Sequence, residues 1–136
     1  MDINQKGNIT EIQVMLAALQ YGCKVSIPYG DCDKYDQIWD INNHLLKIQV
    51  KTARKKEAKG DGIVFNCCSV SNGKKHKYSK DDIDYFATFW NNQCYIIPVE
   101  RCSTEKTLWF ELAPNNYSLN CAMANDYLLE KVLKNI

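Results

Sequence analysis

The chain has 136 residues, 46% of them hydrophobic, which is enough to bury a core without a metal or disulfide. Its 17 Lys and Arg residues against 16 Asp and Glu give a net charge of +1, which neither requires nor excludes a polyanionic partner. The longest apolar runs fall far short of the ~20 residues that span a bilayer, so we expect no transmembrane segment and no membrane partner.

The first half of the chain predicts a helix, a strand and a hairpin. A helical pattern begins at Asn8, and Gly22 is suited to end it. The segment "CKVSIP" alternates like a strand, and a polar loop then leads to "DQIWDI" and "LLKIQVK", which predict a hairpin that turns at Asn42 and Asn43. The apolar face of the helix consists of Ile9, Ile12, Leu16 and Leu19.

The second half predicts further strands and two helices. "GIVFNCCSV" predicts a third strand of the same sheet, and "SNGKKHKYSK" predicts a loop. Ser79 and Asp82 resemble the capped start of a helix. That helix would carry Ile83, Phe86, Ala87 and Trp90. "CYIIPVE" and "LWFEL" predict strands, and residues 123–136 predict a closing helix. We therefore expect one α/β domain over residues 1–136, with a central mixed sheet flanked by helices.

The two-residue turn determines which residues face each other on the hairpin. Counting outward places Ile41 opposite His44 and Asp36 opposite Gln49, with Lys51 two residues further along the same face. A carboxylate, an amide oxygen and a lysine would then converge at one point. Mg²⁺ prefers such oxygen ligands, and the ion can polarise a phosphodiester and activate water. The alternative is that these residues form the solvated face of an amphipathic hairpin.

Four segments, in order along the chain, resemble the PD-(D/E)xK nuclease superfamily. "KYDQIWD", "KIQVKTA", "DDIDYFA" and "CYIIP" cover most of positions 6–100, and the similarity is closest to the QxK variant found in group I intron-associated homing endonucleases. This resemblance implies a restriction-endonuclease-like sandwich and a Mg²⁺-dependent endodeoxyribonuclease in which Mn²⁺ can substitute.

The resemblance also implies the site residues. Asp36 would be the main metal ligand, completed by the side chain of Gln49 and the carbonyl of Val50, and Glu11 would support the metal or water from the first helix. The catalytic set would then be Glu11, Asp36, Gln49 and Lys51. Gln49 departs from the acid usual in the superfamily and so removes one negative charge. For Glu11 an alternative stays open, because Asn8 and Glu11 also have the spacing of a capping box.

Two basic segments follow the proposed site. One contains Arg54, Lys55, Lys56 and Lys59, and the other contains Lys74, Lys75 and Lys77. Beside a nuclease site we expect them to bind the phosphates of double-stranded DNA, with Arg54 also suited to reading bases. The alternative is that these charges only keep the surface soluble.

Three further expectations complete the interpretation. Cutting both strands requires at least two sites, so we expect a homodimer or homotetramer. A Holliday-junction-resolvase-like nuclease is one alternative, and a catalytically inactive DNA-binding module, which the neutral Gln49 suggests, is another. The seven cysteines are odd in number and include no C-x-x-C pair, and no signal-peptide pattern precedes them, so we expect reduced thiols in a cytoplasmic protein without structural zinc.

Overall fold

The computed structural model describes residues 1–30, 34–56, 58–113 and 121–136. Its helices are α1 (Ile3–Tyr21) and α2 (Leu129–Leu133), and short 3-10 turns cover Val99–Arg101 and Ala124–Tyr127. Its strands are β1 (Lys24–Ser26), β2 (Gln37–Ile41), β3 (His44–Val50), β4 (Arg54–Lys56), β5 (Gly60–Asn66), β6 (Cys68–Ser71), β7 (Lys74–Lys77), β8 (Tyr85–Trp90), β9 (Gln93–Pro98) and β10 (Glu105–Leu112).

A five-stranded sheet in the order β1-β2-β3-β8-β9 forms the centre of the fold. It is mixed, because β3 and β8 run parallel whereas the other neighbours are antiparallel. Alternate residues of β8 serve two cores: Ala87 packs with α1 and α2, and Phe86 packs with β5 and β10. The predicted central mixed sheet is therefore confirmed, but helices cover only one of its faces and a second sheet covers the other.

That second sheet corrects the prediction for "GIVFNCCSV". Strand β5 does not join the central sheet but pairs with β10 and β4, while Cys68–Ser71 forms the separate strand β6. The run Ile63, Val64 and Phe65 is buried on both sides. Such a run indicates that a strand is buried but does not specify its partner, which here lies about 40 residues further along the chain.

The helix predicted to begin near Ser79 is also wrong, because this segment forms a turn and then β8. The Asp82 carboxylate accepts a hydrogen bond from the backbone N–H of Ser79 at 2.9 Å and so closes the turn. Asp84 does not serve a helix start either, since its carboxylate accepts from the N–H of Lys47 at 2.8 Å and joins the turn to β3. "YFATFW" is buried on both faces, so its sequence lacks the alternation that distinguishes a strand from a buried helix.

Residues 71–80, predicted as a loop, contain a strand. β6 and β7 form a hairpin whose turn is Asn72 (φ 51°) and Gly73 (φ 76°), the positive φ values of a tight hairpin turn. All four residues of β7 are exposed. The hairpin has no buried face, and its sequence therefore shows no apolar alternation.

The first helix begins earlier than predicted and turns a different face to the sheet. Asp2 and Gln5 cap its start through reciprocal hydrogen bonds, and Gly22 ends it at φ 114° as predicted. Val14 and Ala18 are fully buried, because small side chains let the helix approach the sheet closely. The four residues of the predicted apolar face, Ile9, Ile12, Leu16 and Leu19, are instead between 41% and 59% exposed.

The end of the chain contains less α-helix than predicted. A 3-10 turn and the short α2 replace the long closing helix, although Leu129 and Leu133 are buried as its periodicity implied. Within the described ranges, no helix is long and apolar enough to cross a membrane. Six cysteines fall in those ranges, and all are free thiols.

Candidate functional site

The site begins at the open end of the β2–β3 hairpin. Asn42 (φ 49°) and Asn43 (φ 64°) form the turn, and the predicted register is confirmed from Ile41 opposite His44 onward. Asp36 lies one residue before the start of β2, and its N–H donates to the carbonyl of Ile48 at 2.7 Å. The hairpin geometry therefore brings Asp36 beside Gln49, as counted from the turn.

The Asp36 carboxylate is held through one of its two oxygens. Oδ2 accepts hydrogen bonds from the Val50 N–H at 2.8 Å and from the Gln49 amide nitrogen at 3.1 Å. The same amide nitrogen donates to the carbonyl of Lys34 at 2.8 Å, in the amide orientation that satisfies all three groups. Among the described residues none donates to Oδ1. One carboxylate oxygen is therefore fixed by the hairpin, while the other remains available to a ligand.

Helix α1 brings Glu11 to this end of the hairpin. The Gln37 amide donates to the Glu11 carbonyl at 2.9 Å, and the indole N–H of Trp39 donates to the Gln37 oxygen at 2.9 Å. The same turn of α1 is also attached to the segment that follows β3, because the hydroxyls of Thr10 and Thr52 lie 3.2 Å apart. Because the helix begins at Ile3, Glu11 lies beyond the first turn, and the capping alternative is wrong.

Lys51 approaches the site from the end of β3. Its backbone N–H donates to the Ala87 carbonyl at 2.9 Å, and its Nζ lies 3.5 Å from the Cys68 carbonyl oxygen. The Nζ is also 5.4 Å from the centre of the Tyr78 ring, and the Nζ of Lys34 is 6.0 Å from the same ring. The structure thus adds Tyr78 and Lys34 to the surroundings of the predicted residues.

Burial dominates the electrostatics of the three charged groups. It raises the pKa of Asp36 and lowers the pKa of Lys51, and the attraction between the two opposes both shifts without cancelling them. Burial also raises the pKa of Glu11, and the nearby Asp36 carboxylate raises it further. Two partly buried carboxylates that repel each other form an environment that a cation would stabilise.

The donor set fits a hard divalent cation. It contains two carboxylates, Asp36 and Glu11, and the amide oxygen of Gln49, which would face a cation if the side chain rotated. In the described ranges, no three His, Cys, Asp or Glu side chains cluster closely enough to hold a metal by themselves. Some divalent cations, Mg²⁺ among them, bind one or two carboxylates and take their other ligands from water and substrate phosphates.

The basic residues lie on two strands and one turn. Lys55 and Lys59 are exposed, and Lys56 is half-buried. Arg54 is also exposed but forms an ion pair with Glu105, so contact with DNA would require it to exchange this partner. Such an exposed pair is weak and is readily exchanged.

The second basic segment is divided between the two faces of the β6–β7 hairpin. By strand alternation, Lys74 and His76 lie on the face that leads to Tyr78, whereas Lys75 and Lys77 lie on the other face. Of the three lysines predicted here, Lys74 therefore shares a face with the residue that contacts Lys51.

Two of the residues that support the site differ in how far the sequence indicates them. Gln37 is 1% exposed and occupies the face of β2 that also carries Trp39. A polar residue on a predicted core face needs hydrogen-bond partners, so the sequence alone could have indicated a supporting role for Gln37. Tyr78 had no such signal, since it follows a fully exposed strand in a segment that predicted a loop.

Comparison with known proteins gives a matching family model and similar solved structures. The family model described as PD-(D/E)XK endonuclease matches residues 1–130. Among solved structures, a bacterial homing endonuclease, I-Ssp6803I, is similar with a TM-score of 0.75 and 23% identity, covering 98% of this chain and 93% of that one. This structural similarity extends over nearly the whole chain and confirms the restriction-endonuclease-like sandwich. No curated protein matches the sequence.

Proposed function

From the premise that this chain belongs to the PD-(D/E)XK endonuclease family, we propose that it hydrolyses phosphodiester bonds of double-stranded DNA with Mg²⁺ as cofactor and that Mn²⁺ can substitute. The observation that carries this proposal is the convergence of Asp36, Gln49, Glu11 and Lys51 at the end of the β2–β3 hairpin. A nuclease of this family needs its acidic and basic groups at one point, and two separate elements supply them here.

The residues that would hold the metal are Asp36 through its free Oδ1, Gln49 through its amide oxygen, Val50 through its carbonyl and Glu11 through its carboxylate. When bound, the ion supplies Lewis-acid polarisation of the phosphodiester and a lower pKa for a bound water. The hydrogen bond from the Val50 N–H keeps Asp36 in place for that role. The repulsion between Glu11 and Asp36 favours binding of a cation between them.

Lys51 supplies positive charge to the reacting phosphate. Its ammonium group is partly withdrawn from water, so its attraction for the charge that develops in the transition state is less screened. Lys51 also donates hydrogen bonds and can orient the attacking water. Glu11 can accept a hydrogen bond from that water, because it lies close enough to Asp36 for that carboxylate to raise the pKa of Glu11.

Lysines outside the site would bind the DNA backbone. Lys55, Lys56, Lys59, Lys74, Lys75 and Lys77 supply sequence-independent affinity, and Arg54 can contact phosphate or bases once it leaves Glu105. Since Lys74 shares the hairpin face of Tyr78, Lys74→Ala should lower cleavage more than Lys75→Ala, its neighbour on the opposite face. Equal effects of the two substitutions would contradict this placement.

The fold similarity to a bacterial homing endonuclease favours a homing-endonuclease-like enzyme made of a single domain over residues 1–136. A Holliday-junction-resolvase-like nuclease would instead cleave a synthetic four-way junction in preference to linear duplex. A catalytically inactive DNA-binding module, which the neutral Gln49 would favour, would bind duplex without cutting it and would show no rise in Tm with Mg²⁺ or Mn²⁺.

One site cuts one strand, so we propose that the enzyme acts as a homodimer or homotetramer. The exposed apolar face of α1 supports association, because a second copy packed there would remove four large side chains from water. Sedimentation of the native protein and Leu16→Glu tests this. The control is Leu45→Glu, since Leu45 is 67% exposed on the hairpin. A monomeric native protein, or equal loss of association in both variants, would contradict this interface.

The experiment that tests the function is cleavage of supercoiled DNA of mixed sequence with Mg²⁺ or Mn²⁺. We expect nicking and linearisation by the native protein and none by Asp36→Ala or Lys51→Ala. Asp40→Ala is the matched control, because Asp40 is an exposed acid on β2, away from the site. Cleavage that survives in Asp36→Ala would refute the proposed site.

A further inference from the structure

The catalytic lysine proposed above is held by a part of the chain outside the family motif. The Nζ of Lys51 lies 5.4 Å from the centre of the Tyr78 ring and 3.5 Å from the Cys68 carbonyl oxygen. Cys68 begins β6 and Tyr78 follows β7, so both contacts come from the base of one hairpin. The ammonium group of Lys51 is therefore located by the β6–β7 hairpin as well as by its own strand.

The ring that contacts Lys51 is itself well fixed. Tyr78 packs edge-on against Phe86, with ring centres 5.3 Å apart and an interplanar angle of 84°, and Phe86 is fully buried. The faces of an aromatic ring attract cations, and they attract them more strongly where water is partly excluded. A second ammonium group, that of Lys34, is 6.0 Å from the same ring centre. The ring of Tyr78 therefore lies near two ammonium groups.

A lysine needs such a contact more than most side chains do. Its ammonium group ends a flexible four-carbon chain, and its charge alone does not select one position for Nζ. Resting on the proposed nuclease function, we propose that Tyr78 is a positioning residue: its aromatic ring, together with the Cys68 carbonyl, holds Lys51 Nζ where the phosphate reacts. This role depends on the aromatic ring of Tyr78 and not on its hydroxyl group.

The contact can be tested without any catalytic activity. In protein labelled with ¹³C-lysine, the ε-CH₂ protons of Lys51 should resonate upfield of those of the other lysines, because they lie near the ring. The Lys51 signal is assigned by its loss in Lys51→Arg. The shift should persist in Tyr78→Phe and disappear in Tyr78→Leu. The control is Tyr21→Leu, which removes a 36% exposed tyrosine far along α1. An unshifted Lys51 signal in the native protein would overturn the proposal.

The consequence for catalysis is tested with the same variants on supercoiled DNA. Tyr78→Leu should lower kcat about ten- to a hundredfold with KM nearly unchanged, because the reacting group is misplaced while phosphate binding elsewhere is kept. Tyr78→Phe should stay within about threefold of the native kcat, since the cation–ring contact is retained. Native kcat in Tyr78→Leu, or equal loss in Tyr78→Phe, would overturn the positioning role.

The two readouts separate this inference from the proposed function. If the native protein cleaves no DNA, the nuclease proposal fails, and the lysine spectra still decide whether the ring holds Lys51. Melting curves of each variant identify a trivial loss of folding. A Tyr78→Leu protein that melts like Tyr78→Phe but has lost only kcat would support positioning over packing.

Discussion

The buried Gln37 provides a quantitative test of how the first helix is attached to the hairpin. Its amide accepts from the indole N–H of Trp39 and donates to the Glu11 carbonyl, each at 2.9 Å. Gln37→Met keeps a similar shape but removes both hydrogen bonds. Trp39 is fully buried, so its N–H would be left without a partner.

The cost can be worked out from these contacts. An unpaired buried N–H costs about 1–3 kcal/mol, and the lost bond to the Glu11 carbonyl costs about 0.5–1.5 kcal/mol, so Gln37→Met should lower the free energy of unfolding by about 2–4 kcal/mol. With about 2.1 cal/mol/K of unfolding entropy per residue over 136 residues, each kcal/mol corresponds to about 3.5 °C in Tm. We therefore expect a fall of about 7–14 °C.

The assay is urea and thermal unfolding followed by circular dichroism, with Gln20→Met, an exposed glutamine on α1, as the control. The double variant Gln37→Met with Trp39→Phe should cost about 1–3 kcal/mol less than the sum of the two single variants, because the unpaired N–H is gone. If Gln37→Met is as stable as Gln20→Met, or if the two substitutions are additive, the proposed attachment of α1 is refuted.

Three further predictions follow from buried or charged groups. The pKa values of Asp36 and Glu11 are raised on folding, so the folded state holds these protons more tightly than the unfolded state. Without metal, the free energy of unfolding should therefore fall as pH rises above the ordinary pKa values of 3.8 and 4.5, and Asp36→Asn should flatten this fall in urea titrations with EDTA. In the described residues Thr88 has the one buried hydroxyl without a hydrogen-bond partner. Thr88→Val should therefore raise the free energy of unfolding by about 1 kcal/mol. A lower free energy of unfolding would indicate that the hydroxyl has a partner. Ala18→Leu should lower the free energy of unfolding by about 1–3 kcal/mol, because the larger side chain overpacks a buried position. Leu16→Gln, measured at concentrations too low for association, should change the free energy of unfolding by less than about 0.5 kcal/mol. If Leu16→Gln has the larger effect, α1 packs against the sheet with a different face.

Most errors of the sequence interpretation have one physical cause. The periodicity of hydrophobic residues identifies an element when one of its faces is exposed to water and the other is buried, as on β2 and β3. Strand β8 is buried on both faces and β7 on neither, so neither has the alternation that marks a strand. Helix α1 carries apolar residues around more than one face, and the sequence does not say which face approaches the sheet.

By itself, the sequence determined the hairpin and the part of the candidate site that belongs to it. Asn42 and Asn43 accept the positive φ values of a tight turn, and the register that places Asp36 beside Gln49 and Lys51 follows by counting along two adjacent strands. Only the tertiary structure placed Tyr78 against Lys51, attached the Glu11 turn through the buried Gln37, and covered the second face of the sheet with β5 and β10. Hairpin geometry is local and is encoded by neighbouring residues. These other contacts join segments far apart in the chain, and packing of the whole molecule selects them.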